Sequence, residues 1–314
     1  MFDPTDFPKP TMIPLNGVEL EVFEAGHDNA GPPVVLCHGW PGHAFSWRYQ
    51  VGVLVDAGYH VIIPNQRGFG KSSRPPDVSA YDIEHLSGDL VALLDHYGYD
   101  DATFVGHDWG AMVVWWATLL HPTRINNVIA LSMPYMDRGE QPWVEAMEGV
   151  LGADFYFVHF NRRPGIADAV LEHHTGQFLR NLYRKNQHPA APEPGNEMIN
   201  LATADAPLGD PLMSDGELQV LISAFNSSGF TSNINWYRNV DRNWHLLADV
   251  DPIIHQPALM IYGTRDSVAR NPRITEFVPN VKELELDCGH WIMEENPAQT
   301  NRAILSWLGR QRAA

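Results

Sequence analysis

The strongest constraint on the fold is an alternation of short apolar runs with amphipathic stretches. Val34-Val-Leu-Cys37 reads as a buried strand and is followed by the turn-rich His38-Gly-Trp-Pro-Gly42. Ser46 to Ala57 reads as a helix ended by Gly58, and His60-Val-Ile-Ile63 as a strand broken by Pro64 and by the glycines of Arg67-Gly-Phe-Gly70. From Asp82 to Tyr97 the spacing puts Ile83, Leu86, Leu90, Leu93 and Leu94 on one helical face, with Gly98 as C-cap. Thr103-Phe-Val105 is the next strand. It runs into Gly106-His-Asp-Trp-Gly110, an apolar helix continues to about His121 before Pro122, and Asn127-Val-Ile-Ala-Leu131 is a further strand. Strands that alternate with helices form a mostly parallel sheet covered by helices on both faces, an α/β fold.

The pattern changes at Pro134. From there to about Leu246 the chain reads as helical and is rich in His, Asn, Arg and aromatics, with a loop at Ala190-Ala-Pro-Glu-Pro-Gly195. Strands return at Ala258-Leu-Met-Ile-Tyr262 and Glu283-Leu-Glu-Leu286, and Ala298 to Leu308 reads as a closing helix. The expected organisation is one α/β core in two parts, 1–133 and 247–314, interrupted by a helical insert at 134–246. Ligands of open parallel sheets bind at the carboxyl ends of the strands, so such an insert would lie over the site as a lid.

Charge narrows the partners. With 21 Lys and Arg against 38 Asp and Glu, the net charge is −17, which disfavours nucleic acid and anionic membrane surfaces. No apolar run reaches membrane-span length, and the N-terminus has neither the basic nor the apolar region of a secretory signal. Cys37 and Cys288 form no CxxC or zinc-ligand spacing and read as buried, reduced thiols of a cytoplasmic protein. Gly68-Phe-Gly70 lacks the remaining elements of a phosphate loop, and His173-His174 lacks a third ligand at useful spacing, so neither organic cofactor nor metal is expected.

The candidate chemistry lies at strand ends. Gly106-His-Asp108-Trp-Gly110 is G-x-D-x-G between a strand and a helix, the setting of a nucleophile elbow with Asp in place of Ser; read alone, Asp108 could equally be a helix N-cap. In an elbow fold the order along the chain is nucleophile, acid, histidine. His290, in Gly289-His-Trp291 after the last strand, fits the histidine. Asp266, in Gly263-Thr-Arg-Asp266, is preferred as the acid, because Ser132-Met-Pro134 carries none at the alternative position. The backbone amides of Trp40 and Trp109 are the oxyanion-hole candidates.

At this point the chain resembles the epoxide hydrolases of the α/β-hydrolase fold. The resemblance runs from about Gly17 to Leu308. It is strongest at His38-Gly-Trp-Pro41, Ser46-Trp-Arg-Tyr-Gln50, Gly106-His-Asp-Trp-Gly110, Asn235-Trp-Tyr-Arg-Asn239 and Cys288-Gly-His-Trp291. It implies a cap inserted after the sixth strand, Asp108 as nucleophile, Asp266 as relay acid and His290 as water-activating base. It also implies a pair of cap tyrosines, Tyr156 and Tyr237, which the residues alone would not have singled out among ten. Tyr156 is matched across Phe160 and Pro164-Gly165, where this chain has one residue more. Asn65, before Gln-Arg-Gly, and Gly42-His43 depart from the family pattern.

The implied chemistry suits these groups. An epoxide carbon is sp³, so attack by serine would leave an ether, whereas attack by a carboxylate leaves an ester that water can cleave. Aspartate is ionised at neutral pH without a base, with a reference pKa of about 3.9, and the imidazole is then free for the second step. A phenol with a pKa of about 10 remains protonated to serve the departing alkoxide. The implied partners are a small apolar epoxide and water, with a homodimer as one possible assembly. A haloalkane dehalogenase would share the fold, Asp108 and His290 but needs N–H donors for halide rather than phenols. A non-catalytic ligand-binding protein on the same fold would need none of the set.

Overall fold

The computed structural model describes residues 2–185, 197–204 and 209–313; the loop expected at Ala190–Gly195 lies outside them. Eight strands form one sheet: β1 (Pro10–Leu15), β2 (Val18–Ala25), β3 (Pro33–Cys37), β4 (His60–Asn65), β5 (Ala102–His107), β6 (Ile125–Leu131), β7 (Ala258–Gly263) and β8 (Val281–Leu286). Their spatial order is β1-β2-β4-β3-β5-β6-β7-β8, antiparallel at β1–β2 and β2–β4 and parallel elsewhere. β3, β4 and β5 are buried along their full length, which is why they read as continuous apolar runs.

The helices α1 (Arg48–Asp56), α2 (Ile83–Tyr97) and α3 (Trp109–Leu120) connect β3 to β6. α2 begins where Asp82 accepts a hydrogen bond from the His85 N–H at 3.0 Å and ends at Gly98 in the left-handed conformation. α3 is buried nearly all round, as its unbroken apolar sequence requires. Between β6 and β7 lie α4 (Trp143–Leu151), α5 (Tyr156–Arg162), α6 (Ile166–His173), α7 (Thr175–Leu182), α8 (Glu197–Thr203), α9 (Asp215–Ser228), α10 (Thr231–Arg238) and α11 (Val240–Leu246). α12 (Ile274–Phe277) separates β7 from β8, and α13 (Ile292–Glu295) and α14 (Pro297–Ala313) follow. Among the described residues no helix is long and apolar enough to cross a membrane. Cys37 and Cys288 are buried and unpaired.

Two strands went unread in the sequence. β1 and β2 form a hairpin whose register, Leu15 opposite Val18, leaves the two-residue turn Asn16-Gly17 with both residues at positive φ. Two prolines in β1 are compatible with its edge position. β4 also runs through Pro64, where the sequence suggested a break. β3 pairs with β4 only as far as Ile62, so beyond it β4 has a partner on one side and a missing donor is tolerated.

Charged contacts tie the β6–β7 helices to the sheet layer. Arg48 of α1 bonds Glu217 of α9 at 2.8 Å and also pairs with Glu294 of α13, all three buried. Asp82 accepts from Arg242 of α11 at 2.8 Å.

Candidate active site

Asp108 stands at the turn between β5 and α3 with φ 53° and ψ −123°, a conformation a β-substituted residue adopts only under constraint. The constraint is close approach of backbone. A Cβ on Gly110 would lie 2.1 Å from the Cys37 carbonyl oxygen, and one on Gly39 would lie 2.5 Å from the Asp108 side chain. The glycines thus let the β3 loop and the β5 turn touch. The Asp108 side chain makes no capping hydrogen bond to α3. Its Oδ1 accepts from the Trp40 N–H at 2.8 Å, and the neighbouring Trp109 N–H also favours the charged carboxylate.

Neighbouring groups hold the β3 loop in place. His38 accepts from the Gln66 N–H at its Nε2 (3.1 Å), with its Nδ1 2.9 Å from the Gly39 carbonyl; burial pushes it down to about 3, so it is neutral. Asn65 accepts from the Ala44 N–H at 2.8 Å and donates to Glu21 at 2.7 Å, so the departure at position 65 is a buried amide bridging β2 and the loop. The indole N–H of Trp40 donates to Asn233 of α10 at 2.7 Å. This buried amide links the candidate oxyanion donor to the β6–β7 helices, and no motif pointed to it.

His290 projects from the loop after β8. Its Nε2 is 3.7 Å from Asp108 Oδ2, and its Nδ1 is 3.2 Å from each carboxylate oxygen of Asp266. Ser132, at positive φ just after β6, adds a contact the sequence reading passed over. Its hydroxyl donates to Asp266 Oδ2 at 2.6 Å and lies 3.0 Å from His290 Nδ1. Burial pulls the imidazole down, but the charge and hydrogen bond of Asp266, then the charge of Asp108, outweigh it and hold His290 up at about 9. Burial likewise opposes the charged form of Asp266, yet His290 and Ser132 hold its carboxyl well below the usual range. For Asp108 burial wins, against His290 and the two amides, and its pKa is raised.

Tyr156 begins α5 and Tyr237 lies in α10. Both line a cavity of about 410 Å³ together with Asp108, Trp109 and His290; the rest of its wall is largely apolar, with five methionines. Tyr237 is buried, with the rings of Trp40, Trp109, Tyr156, Phe157 and Phe160 set edge-on to it at 4.7–5.8 Å. Burial first, then Tyr156 and Asp108, push its phenol well above the ordinary range, so it stays protonated. The structure therefore brings together Asp108, His290, Asp266, Tyr156, Tyr237 and the amides of Trp40 and Trp109: a carboxylate under two donors, an imidazole beside it, and two phenols on the same cavity.

A strained acid at a strand–helix turn, with an imidazole from the far end of the chain, defines an α/β hydrolase, and a model of the alpha/beta hydrolase fold family matches residues 32–297. The chain belongs to that family. Within it, epoxide hydrolase A of Mycobacterium tuberculosis is 41% identical to this chain over 317 residues, covering 96% of the chain and 97% of that protein. Bifunctional epoxide hydrolase 2 of Sus scrofa is 34% identical over 93% of the chain, which spans 53% of that protein. Among solved structures, epoxide hydrolase A of Mycobacterium thermoresistibile superposes with a TM-score of 0.88 at 39% identity, covering 96% of this chain and 98% of that one.

Proposed function

We propose that this chain hydrolyses an apolar epoxide to a vicinal diol through an ester on Asp108. The observation that carries the reading is the division of labour at the Asp108 carboxylate: Oδ1 is held by the Trp40 amide while Oδ2 faces His290 and the cavity. Residues 134–246 act as the cap over the core formed by 1–133 and 247–314, and they supply both phenols.

In the first step Asp108 Oδ2 attacks an epoxide carbon. The C–O bond opposite breaks, and its oxygen takes a proton from the tyrosine pair, leaving a tyrosinate and a hydroxyalkyl ester. Before the second step the imidazolium, no longer facing an ionised Asp108, passes its Nε2 proton to the tyrosinate; His290 Nε2 then takes a proton from water, whose oxygen attacks Asp108 Cγ. The negative charge that develops on Oδ1 falls under the Trp40 and Trp109 amides. Collapse passes the proton on His290 to the departing alkoxide and releases the diol, and the remaining carboxyl proton goes to His290, which restores the carboxylate and the charged imidazole. Asp266 orients the imidazole and stabilises its charged form.

The histidine charge also times the reaction. While Asp108 is ionised, two carboxylates hold His290 protonated up to about 9. Esterification neutralises one of them, so the imidazole gives up its proton more readily when a base is needed. Halide release is disfavoured: the Trp40 indole donor is occupied by Asn233, and Trp109 is engaged with Tyr237.

The test is a single turnover of styrene oxide in heavy-oxygen water. The first diol released should carry unlabelled oxygen from Asp108, and full labelling in that turnover would exclude the ester. With His290→Gln, intact-protein mass spectrometry should show the alkylated enzyme accumulating.

A further inference from the structure

A second cluster of chemistry-bearing residues lies away from the cavity. Glu24 stands near the end of β2, His27 follows in the loop, and His60 opens β4. Each offers one ligand atom, and the three atoms lie within 4.8 Å of one another. β4 runs parallel to the β3–β5 layer, and His60 is at its amino end, whereas Asp108 follows the carboxyl end of β5. The two places are a strand length apart, roughly 20 Å.

Two details set this cluster apart from an ordinary ion pair. The Nε2 atom of His60 and the Oε2 atom of Glu24 are enclosed and make no hydrogen bond, although the Glu24 side chain is partly exposed and the Tyr97 phenol lies beside its carboxylate. They lie 3.6 Å apart, too far for a hydrogen bond to each other. Buried polar atoms left unsatisfied are costly, and an ion between them is one way the cost is removed. A tetrahedral ion with bonds of about 2.0–2.1 Å keeps its ligand atoms roughly 3.3–3.4 Å apart, close to the 3.6 Å between His60 Nε2 and Glu24 Oε2.

We propose that Glu24, His27 and His60 form a binding site for a divalent transition-metal ion of the zinc type, with a fourth position open to water on the exposed His27 side. The surroundings suit that role. His60 Nδ1 lies 2.9 Å from the Tyr99 hydroxyl; an Nδ1–H donated there leaves the Nε2 lone pair facing the cluster, the usual arrangement behind a ligating imidazole. The His60 ring is braced edge-on by Tyr97 at 5.3 Å and by His27 at 5.2 Å. Two imidazoles and one carboxylate select zinc, nickel or copper over magnesium or calcium. Bound there, the ion would pin the loop after β2 to the start of β4.

The experiment uses the full chain, stripped with chelator and titrated with Zn²⁺ alone by calorimetry, with bound metal counted by mass spectrometry. The wild type should take up one equivalent more than His27→Ala, and Glu24→Gln should weaken that equivalent at least tenfold. Zn²⁺ should raise the Tm of the wild type by several degrees and leave that of His27→Ala unmoved, while Mg²⁺ does neither. Epoxide turnover by metal-free His27→Ala should match that of the metal-free wild type, since the cluster lies outside the cavity. His27 is exposed, so its replacement leaves the fold intact. Equal zinc uptake and affinity in wild type and His27→Ala, or a Tm that zinc does not shift, would overturn the site.

Discussion

Replacing His290 with Gln tests the active-site electrostatics without substrate. The folded imidazole loses its proton at about 9, held there by Asp266 and Asp108 against burial, while an unfolded histidine does so at about 6.5. Between those values the native state keeps a proton that the unfolded chain has released. Stability therefore falls as pH rises through the window, by about 1.4 kcal/mol per unit and about 3 kcal/mol in all. The stabilisation is complete below about pH 6.5 and is gone above about pH 9. Glutamine cannot titrate, so His290→Gln starts less stable and loses none of this increment. Urea unfolding followed by tryptophan fluorescence at pH 6.5, 7.5 and 9 should show the wild-type advantage shrinking by about 3 kcal/mol. Asp266→Asn, which removes the stronger of the two pulls on His290, should shorten the window. A wild-type advantage constant from pH 6.5 to 9 would refute the placement of a charged imidazole between two carboxylates.

Three further outcomes follow from the same geometry. Tyr156→Phe and Tyr237→Phe should each slow ester formation, and the double change by roughly 10²–10⁴-fold; rapid-quench mass spectrometry in the His290→Gln background reads that step alone, and an unchanged rate would return both rings to packing. Asn233→Ala strands the Trp40 indole N–H, costing roughly 1–3 kcal/mol of stability. Because Trp40 also supplies the amide over Asp108 Oδ1, the variant should slow ester hydrolysis more than ester formation in single turnovers. Gly110→Ala, whose Cβ would sit 2.1 Å from the Cys37 carbonyl oxygen, should cost at least roughly 1–3 kcal/mol in urea unfolding.

Legibility of the chain followed periodicity. β3, β4, β5 and β6 with α1 to α3 could be read because buried parallel strands and apolar helices leave long uniform signals. The β1–β2 hairpin was passed over because the edge strand β1 is interrupted by two prolines and β2 alternates three glutamates with its apolar residues, although Asn16-Gly17 was a usable turn signal. At the site, Asp108 and His290 could be reached from strand ends and chain order alone. Tyr156 and Tyr237 could not, since an aromatic in a helical insert has the same spelling whether it packs or donates; only the likeness to a family singled them out. Ser132 and Asn233 act through contacts 134 and 193 residues away in sequence, and Glu24, His27 and His60 meet only because β2 pairs with β4. No spacing rule reaches such pairs.

Ser132 shows how the missing acid after β6 is made good. Its hydroxyl proton is committed to Asp266 Oδ2 at 2.6 Å, so what it turns toward His290 Nδ1, 3.0 Å away, is an oxygen lone pair. Nδ1 therefore faces three acceptors, two carboxylate oxygens and one hydroxyl, and no donor among them. A proton on Nδ1 is held from all three, so the proton that His290 gains and loses is the one on Nε2. That nitrogen lies 3.7 Å from Asp108 Oδ2, the oxygen on which the proposed ester would form. On the proposed mechanism the imidazole's two nitrogens would thus have separate tasks, Nδ1 structural and Nε2 chemical, with a hydroxyl at the end of β6 completing the structural side.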